Sequence, residues 1–253
     1  MTNKKLARAK GEALLAALLL VLTLLAFVNT VFAVDPTGAV VTNYTTSQKN
    51  TSAPGQRNDS RGTITTVLLT GIQQDTKWKA YVGNVSATFT LDDSADYTIY
   101  SWNINSFTGQ VYASRNSSIT WSTINCTEVA EKTAEGLSVN HSASSEDGLN
   151  RTFTSQIHRE FYVGDLYIKN SSCYSIATYV NDASQSLTES VSFQEVLLSD
   201  GSGRMVYTTF VENDIPGYRS DGTTYDFQMI VAEDPRGSIP ITPYYFYVEL
   251  TGN

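Results

Sequence analysis

Histidine, cysteine and basic residues are scarce in this 253-residue chain, and each scarcity removes a class of function. Only two histidines occur, His141 and His158, and no H-E-x-x-H, G-x-S-x-G or phosphate-binding glycine loop is present. The two cysteines, Cys126 and Cys173, have no Cys or His neighbour at ligand spacing, which argues against a zinc site. Seventeen Lys and Arg stand against 25 Asp and Glu, for a net charge of −8. No basic cluster with interleaved aromatics is visible, so nucleic acid is not an expected partner. Among 25 acidic residues some close carboxylate pair is inevitable, so pairing alone does not point to glycosidase chemistry. No catalytic residue stands out, and the expectation is a protein that is not an enzyme. A second long apolar run is also missing, so membrane contact is expected only through residues 13–33, if these are retained.

What the chain does have is an N-terminus of the secretory type. Lys4, Lys5, Arg8 and Lys10 precede an apolar run from Ala13 to Val28, and Val31 and Ala33 offer a signal-peptidase site before Val34. Residues 1–33 are therefore a signal peptide or an N-terminal anchor. A retained anchor would keep its basic flank in the cytoplasm. A third alternative is that Ala9-Lys10-Gly11-Glu12, which resembles the class III signals of archaeal pilins, is the cut site and the apolar helix stays as a filament core. Loss of residues 1–33 removes four basic residues and one acidic one, taking the charge from −8 to −11. Acidic surfaces favour solubility and cation association.

Nine asparagines lie in N-x-S/T acceptor sequences: Asn43, Asn50, Asn58, Asn84, Asn116, Asn125, Asn140, Asn150 and Asn170. Past Ala33 there are 14 asparagines, of which chance would place about three or four in so short a motif. Nine is an excess, and an occupied acceptor must face solvent in a protein that has crossed a membrane. In such a compartment Cys126 and Cys173 are expected to pair, closing a loop of 48 residues. The loop-entropy argument values that closure at ~4 kcal/mol. The expected location is extracellular or the cell surface.

Residues 34–62 are rich in Ser, Thr and Asn and read as a flexible glycosylated arm, too polar to fold alone. Within it, Ala39-Val40-Val41 and Asn43-Tyr44-Thr45 suit a short strand if an open sheet edge is available. Residues 63–253 read as a β-rich ectodomain. Ile64–Leu69 is apolar and β-branched, and Val85, Ala87, Phe89 and Leu91 alternate with polar residues at the period of a half-buried strand. Asp92–Asp96 turns the chain into Tyr97–Trp102. Further strands are expected at Gln110–Ser114, Ile119–Ile124, Glu160–Lys169, Tyr174–Val180, Val191–Leu198, Met205–Val211, Tyr225–Val231 and Tyr244–Leu250. A short helical insertion is expected over Thr127–Gly136, capped by Thr127, with a second helical piece at Glu146–Leu149. The fold class is then all-β, a β-sandwich-like two-sheet ectodomain preceded by an apolar N-terminal helix. Two small β domains dividing near Asn140–Asn150 are the alternative.

Several blocks carry a resemblance. They are Trp78-Lys79-Ala80-Tyr81-Val82-Gly83-Asn84-Val85-Ser86, then Trp102, Gly109-Gln110-Val111-Tyr112-Ala113-Ser114-Arg115 and Ile124-Asn125-Cys126. Tyr225-Asp226-Phe227-Gln228 and Thr242–Leu250 close the pattern. Together they resemble a group of uncharacterised archaeal exported β-rich proteins. The resemblance implies an envelope or extracellular protein and transfers no functional residue.

Asp92, Asp93 and Asp96, with Asp200, Asp221 and Asp226 in glycine-containing loops, are the candidates for a structural calcium site, although none matches EF-hand spacing. Ordinary turn chemistry accounts for the same residues, and no cofactor is expected. Trp78, Tyr81, Trp102, Tyr112 and Trp121 are read as core packing rather than a ligand platform. Tyr162, Tyr167, Tyr174 and Tyr179, with Tyr244, Tyr245 and Tyr247, are numerous enough to leave an exposed aromatic row suited to carbohydrate or protein contact. The expected partners are other copies of the chain or other envelope proteins, with glycans second. The expected role is structural or adhesive, with residues 34–53 adding a strand to a neighbouring copy. A carbohydrate-binding module and a pilin-like subunit that keeps its N-terminal helix are the alternatives.

Overall fold

The computed structural model describes residues 34–104, 106–237 and 240–252. The signal, anchor and pilin expectations fall on residues 1–33, outside the described residues. Asp35–Asn253 cluster as one compact unit, with no division near Asn140–Asn150.

The described residues are mostly β, with short helices as insertions. In chain order the strands are β1 (Thr37–Gly38), β2 (Trp78–Gly83), β3 (Ala87–Asp92), β4 (Thr98–Ile104), β5 (Phe107–Ser114) and β6 (Asn125–Cys126). Helices α1 (Val129–Ser138) and α2 (Leu149–Thr152) come next. They are followed by β7 (Phe161–Val163), β8 (Leu166–Ile168), β9 (Ser175–Ala177), β10 (Gln194–Ser199) and β11 (Met205–Phe210). The chain closes with β12 (Ile215–Pro216), β13 (Thr224–Tyr225), β14 (Phe227–Ala232) and β15 (Tyr245–Gly252).

All pairings are antiparallel. The main sheet has seven strands in the order β1-β15-β5-β11-β10-β6, and β9 shares the outer edge of β10 with β6. The pairs β2–β14, β3–β4, β7–β8 and β12–β13 stand as separate two-stranded sheets.

Alternation along the central strands sends side chains to two cores. On one face Val111, Ala113, Leu197 and Tyr207 pack with Met229 and Val231 of β14 and with Val139, Leu149 and Phe153 of the helical insertion. On the other, Tyr112, Val196, Leu198, Val206 and Phe210 pack with Phe161, Val163 and Ile168 of the β7–β8 hairpin. Every residue of β10 and β11 is buried, because both faces are covered. The polar residues among them need partners: Thr209 Oγ1 donates to the Gln194 carbonyl, and the Gln194 side-chain oxygen accepts from the Arg159 backbone N–H.

Several local expectations change. Ile64–Leu69 forms no strand, because none of the described residues pairs with it, and it lies exposed. Ile119–Ile124 is not a strand but leads into a single 3₁₀ turn at Trp121–Thr123, where the Asp200 carbonyl accepts from Thr123 Oγ1. Glu160–Lys169 breaks into the β7–β8 hairpin at Gly164, whose φ of +55° suits glycine. The cap of α1 is Glu128 rather than Thr127, in a reciprocal box with Glu131. The helix also runs through Gly136, whose Cα side packs towards Leu149 and His141 with room for a Cβ at ordinary van der Waals distance. It ends at Ser138, and just beyond its C-cap Val139 the chain turns through Asn140, in the left-handed region at φ +59°. The second helical piece lies three residues later than expected, at Leu149–Thr152.

Gly109 is the tightest point of the main sheet. Its φ is +146°, and a Cβ there would run into the Glu249 carbonyl oxygen on β15. Gly109→Ala is expected to destabilise the protein by more than about 2 kcal/mol, since the backbone conformation and the β5–β15 register must both give way. Equilibrium denaturation of the two proteins measures this, and equal midpoints would refute it.

Candidate interaction surfaces

Of the nine acceptor asparagines, Asn43, Asn50, Asn58, Asn84, Asn116, Asn125 and Asn140 are exposed, while Asn150 and Asn170 are half-buried. These last two use the nitrogen that a glycan would take. Asn150 Nδ2 donates to Thr133 Oγ1 at 3.1 Å, and Asn170 Nδ2 donates to Glu189 Oε1 at 2.7 Å. The acceptors are scattered around the fold and form no common site. Their spacing matters more, because none lies between Asn58 and Asn84 or between Asn84 and Asn116.

Cys126 and Cys173 form the expected disulfide, with Cα atoms 4.8 Å apart. Cys126 lies on β6 and Cys173 just before β9, so the bond ties together the two short strands that share the edge of β10. A buried disulfide is compatible with an extracellular protein. His158 holds the same corner. Its Nε2 accepts from the backbone N–H groups of Ser172 (3.1 Å) and Cys173 (2.9 Å), and its Nδ1 faces the Arg159 carbonyl at 2.7 Å. That pattern calls for a neutral ring with the proton on Nδ1. Burial lowers the His158 pKa accordingly, against the opposing pull of the Arg159 carbonyl and Glu189. His141 is also engaged by backbone, with Nε2 on the Glu233 carbonyl and Nδ1 accepting from Leu149 N–H.

The outer edge of β15 is where the N-terminal arm meets the folded body. Thr37 and Gly38 pair with Val248 and Tyr247, and Ala39 N–H donates to the Phe246 carbonyl at 2.9 Å. The strand that forms is thus Thr37–Gly38, just ahead of the two segments suggested by the sequence, and it lies on the edge of its own chain. Among the described residues no other strand takes that edge, which leaves Glu249–Gly252 unpaired on the side of β1. A groove of about 350 Å³ runs beside the seam, lined by Ala39, Val41, Ser117 and Tyr244–Tyr247. Just past the paired Val248, Glu249 accepts from Tyr112 Oη (2.9 Å) and from Gly164 N–H (3.0 Å). Burial raises the Glu249 pKa despite those bonds, with Asp35 and Asp165 adding to the rise.

Aromatic residues divide between core and surface. Trp121 packs between Tyr112 and Tyr247, each 5.2 Å away, Tyr81 meets Phe246 edge-on at 4.9 Å, and Trp78 lies beside Phe153 and His141. Trp102 departs from the core expectation. It is 46% exposed on the β3–β4 hairpin, beside Tyr100 at 4.9 Å. The Tyr162–Tyr167 pair on β7–β8 is likewise exposed. Tyr174 instead takes Lys132 Nζ over its ring at 3.5 Å.

The acidic turns are occupied by their own backbone. Asp93 Oδ1 accepts from Ala95 and Tyr97 N–H, and those bonds lower its pKa. Asp226 accepts from Val85 and Asp214 N–H, and Asp221 from Thr223 N–H. Burial pushes Asp200 up, but bonds from Ser202, Arg204 and Thr120 prevail and leave its pKa lowered. Among the described residues, no three His, Cys, Asp or Glu side chains are grouped to hold a metal ion. No helix there is long and apolar enough to cross a membrane.

Compared with known family models, curated proteins and solved structures, the chain matches none.

The geometry of the acceptors predicts their use. Glycopeptide mapping of protein from its native cells should show lower occupancy at Asn150 and Asn170 than at the seven exposed acceptors. Equal occupancy at all nine would contradict it. A second prediction concerns Glu195, fully buried on β10 with one oxygen accepting from Ile230 N–H and the other without a partner. Burial holds its carboxyl well above the usual range, so the native state keeps a proton that the unfolded chain releases near pH ~4.3. Its contribution is whole below that pH and is lost as pH rises towards the folded value. Relative to the native protein, Glu195→Gln should therefore gain roughly 2–4 °C in Tm at pH 8 and little at pH 4. Parallel Tm–pH profiles would sink this account.

Proposed function

We propose that this is a secreted or surface-exposed N-glycosylated structural protein of an archaeal envelope, assembled by strand addition from its N-terminal arm. The observation that carries the reading is the seating of β1. Only two residues of the arm pair with the β15 edge, and the 40–77 segment that follows contains no regular secondary structure. A ladder that short is held by few hydrogen bonds, each contributing about 1 kcal/mol. The same segment makes the same bonds on the β15 edge of a neighbouring copy, so exchange conserves its contacts. The unpaired stretch at Glu249–Gly252 and the groove lined by Tyr244–Tyr247 give a longer incoming strand more to bind. Head-to-tail exchange of this kind does not close on itself and yields fibres. Glycans on the exposed acceptors and a disulfide at the far edge suit an extracellular assembly.

The register supplies the test. Thr37 and Val248 are direct cross-strand partners, so a Thr37→Cys/Val248→Cys variant forms its new disulfide wherever the arm is seated. In assembled material the expected result is a ladder of covalent multimers on a non-reducing gel. A single monomer band, together with unchanged assembly on deleting residues 34–53, would refute arm exchange.

A further inference from the structure

Among the described residues, two exposed apolar surfaces have no partner once β1 is seated. The first lies in the 40–77 segment, which runs out and back. Its turn is at Arg61–Gly62, where Gly62 has φ +79° and Thr63 Oγ1 donates to the Ser60 carbonyl at 2.7 Å. Lys49 N–H donates to Gln74 Oε1 and ties the two legs together. The outgoing leg carries the acceptors Asn43, Asn50 and Asn58, and the return leg carries none. The return leg instead contains Ile64-Thr65-Thr66-Val67-Leu68-Leu69, uncharged and free of proline and glycine. Ile64 is fully exposed, and Leu68 and Leu69 are nearly so. A six-residue segment of that composition is a strand in want of a sheet.

The second surface is the β3–β4 hairpin. Among the described residues it pairs with no other strand, which leaves the outer edge of β3 open there. The cross-strand pairs Phe89↔Trp102 and Leu91↔Tyr100 put four large apolar side chains on one face, and Leu91, Tyr100 and Trp102 are exposed. Ala87 and Ile104 root that face in the first core. A two-stranded hairpin is marginal in water on its own, and a third strand over an apolar face is what normally secures one. An open edge beside such a face is a template for pairing with another chain.

The two surfaces complement each other in three ways. Both have six residues to pair, Ile64–Leu69 against Ala87–Asp92. Both are free of acceptor sequences, so no glycan stands between them. An antiparallel approach to β3 also brings Arg61 to the hairpin tip, where Asp92, Asp93 and Asp96 lie. Within one chain they stay apart, since Ile64 and Leu68 are exposed and, among the described residues, β3 has no second neighbour.

We propose that the Ile64–Leu69 leg of one copy adds antiparallel to the β3 edge of a second copy, closing over Phe89, Leu91, Tyr100 and Trp102. This rests on the self-assembling reading above and supplies it with a second contact, separate from the β1–β15 seam.

The test uses the full chain in its assembled form. A photo-crosslinking benzoylphenylalanine replaces Tyr100 in protein mixed from ¹⁴N- and ¹⁵N-labelled copies, and crosslinked peptides are mapped by mass. The expected product joins position 100 of one isotope to a peptide within residues 63–73 of the other. Leu69→Asp, harmless to the monomer because Leu69 is exposed, and opposite Ala87 on the apolar face in that register, should raise the concentration needed for assembly by roughly tenfold or more. Crosslinks confined to one isotope would assign the leg to its own chain and overturn the proposal. Unchanged assembly by Leu69→Asp, with the covalent ladder of the Thr37→Cys/Val248→Cys variant intact, would overturn it while leaving arm exchange standing. Failure of both the ladder and the crosslink would end both readings. If Trp102→Ala abolished retention on polysaccharide columns and left assembly unchanged, the hairpin face would belong to glycans instead.

Discussion

The eight-residue ladder between β5 and β15 is the interaction on which the rest of the molecule depends. It joins the middle of the chain to its last strand, running from Tyr245↔Ser114 to Gly252↔Phe107. That register sets which side chains enter each core, because a slip of one residue would exchange the two faces. It stacks Phe246, Val248 and Leu250 above one core and places Tyr247 against Trp121 and Tyr112 on the other. It requires Gly109, the residue that lets the Glu249 carbonyl approach so closely. It also makes β15 the edge of the sheet, which is why the arm has somewhere to sit.

Around that ladder, polar groups are used as fasteners where apolar contact runs out. Arg115, just past β5, makes a two-pronged contact with Glu135 and so pins α1 to the sheet. Lys132 reaches from α1 into the core to donate to the Phe153 carbonyl, and burial lowers its pKa. Arg159 joins Glu212 and the Val191 carbonyl while lying over the Phe210 ring. These half-buried pairs cost desolvation, and they hold because each charge also has hydrogen bonds to satisfy it. The disulfide and His158 do the same for the edge opposite the arm. One end of the sheet is thus stapled and the other is held by a two-residue strand. That asymmetry gives the proposed assembly its direction.

Much of the sheet was legible in the sequence. The alternation at Val85–Leu91 and Tyr244–Leu250 marks real strands, since period two needs only one buried face to show itself. The paired cysteines and the acceptor sequences were equally plain, because each is a local motif. Trp78–Gly83 was not singled out as a strand, although it pairs with β14 along its whole length. Ile64–Leu69 was, and it pairs with none of the described residues. Both errors have one cause: a strand is a relation between two segments, and propensity describes only one of them.

By itself the sequence determined the all-β class, several of the turns, the pairing of two cysteines and the acceptor-rich leg of the arm. Each of these is carried by local pattern or, for the cysteines, by there being only two. Only the tertiary structure decided that β15 is an edge, that β1 is its cover, and that the β3–β4 face and the Ile64–Leu69 leg are left bare. Exposure is fixed by what the rest of the chain fails to cover, and coverage is a sum over partners distant in sequence.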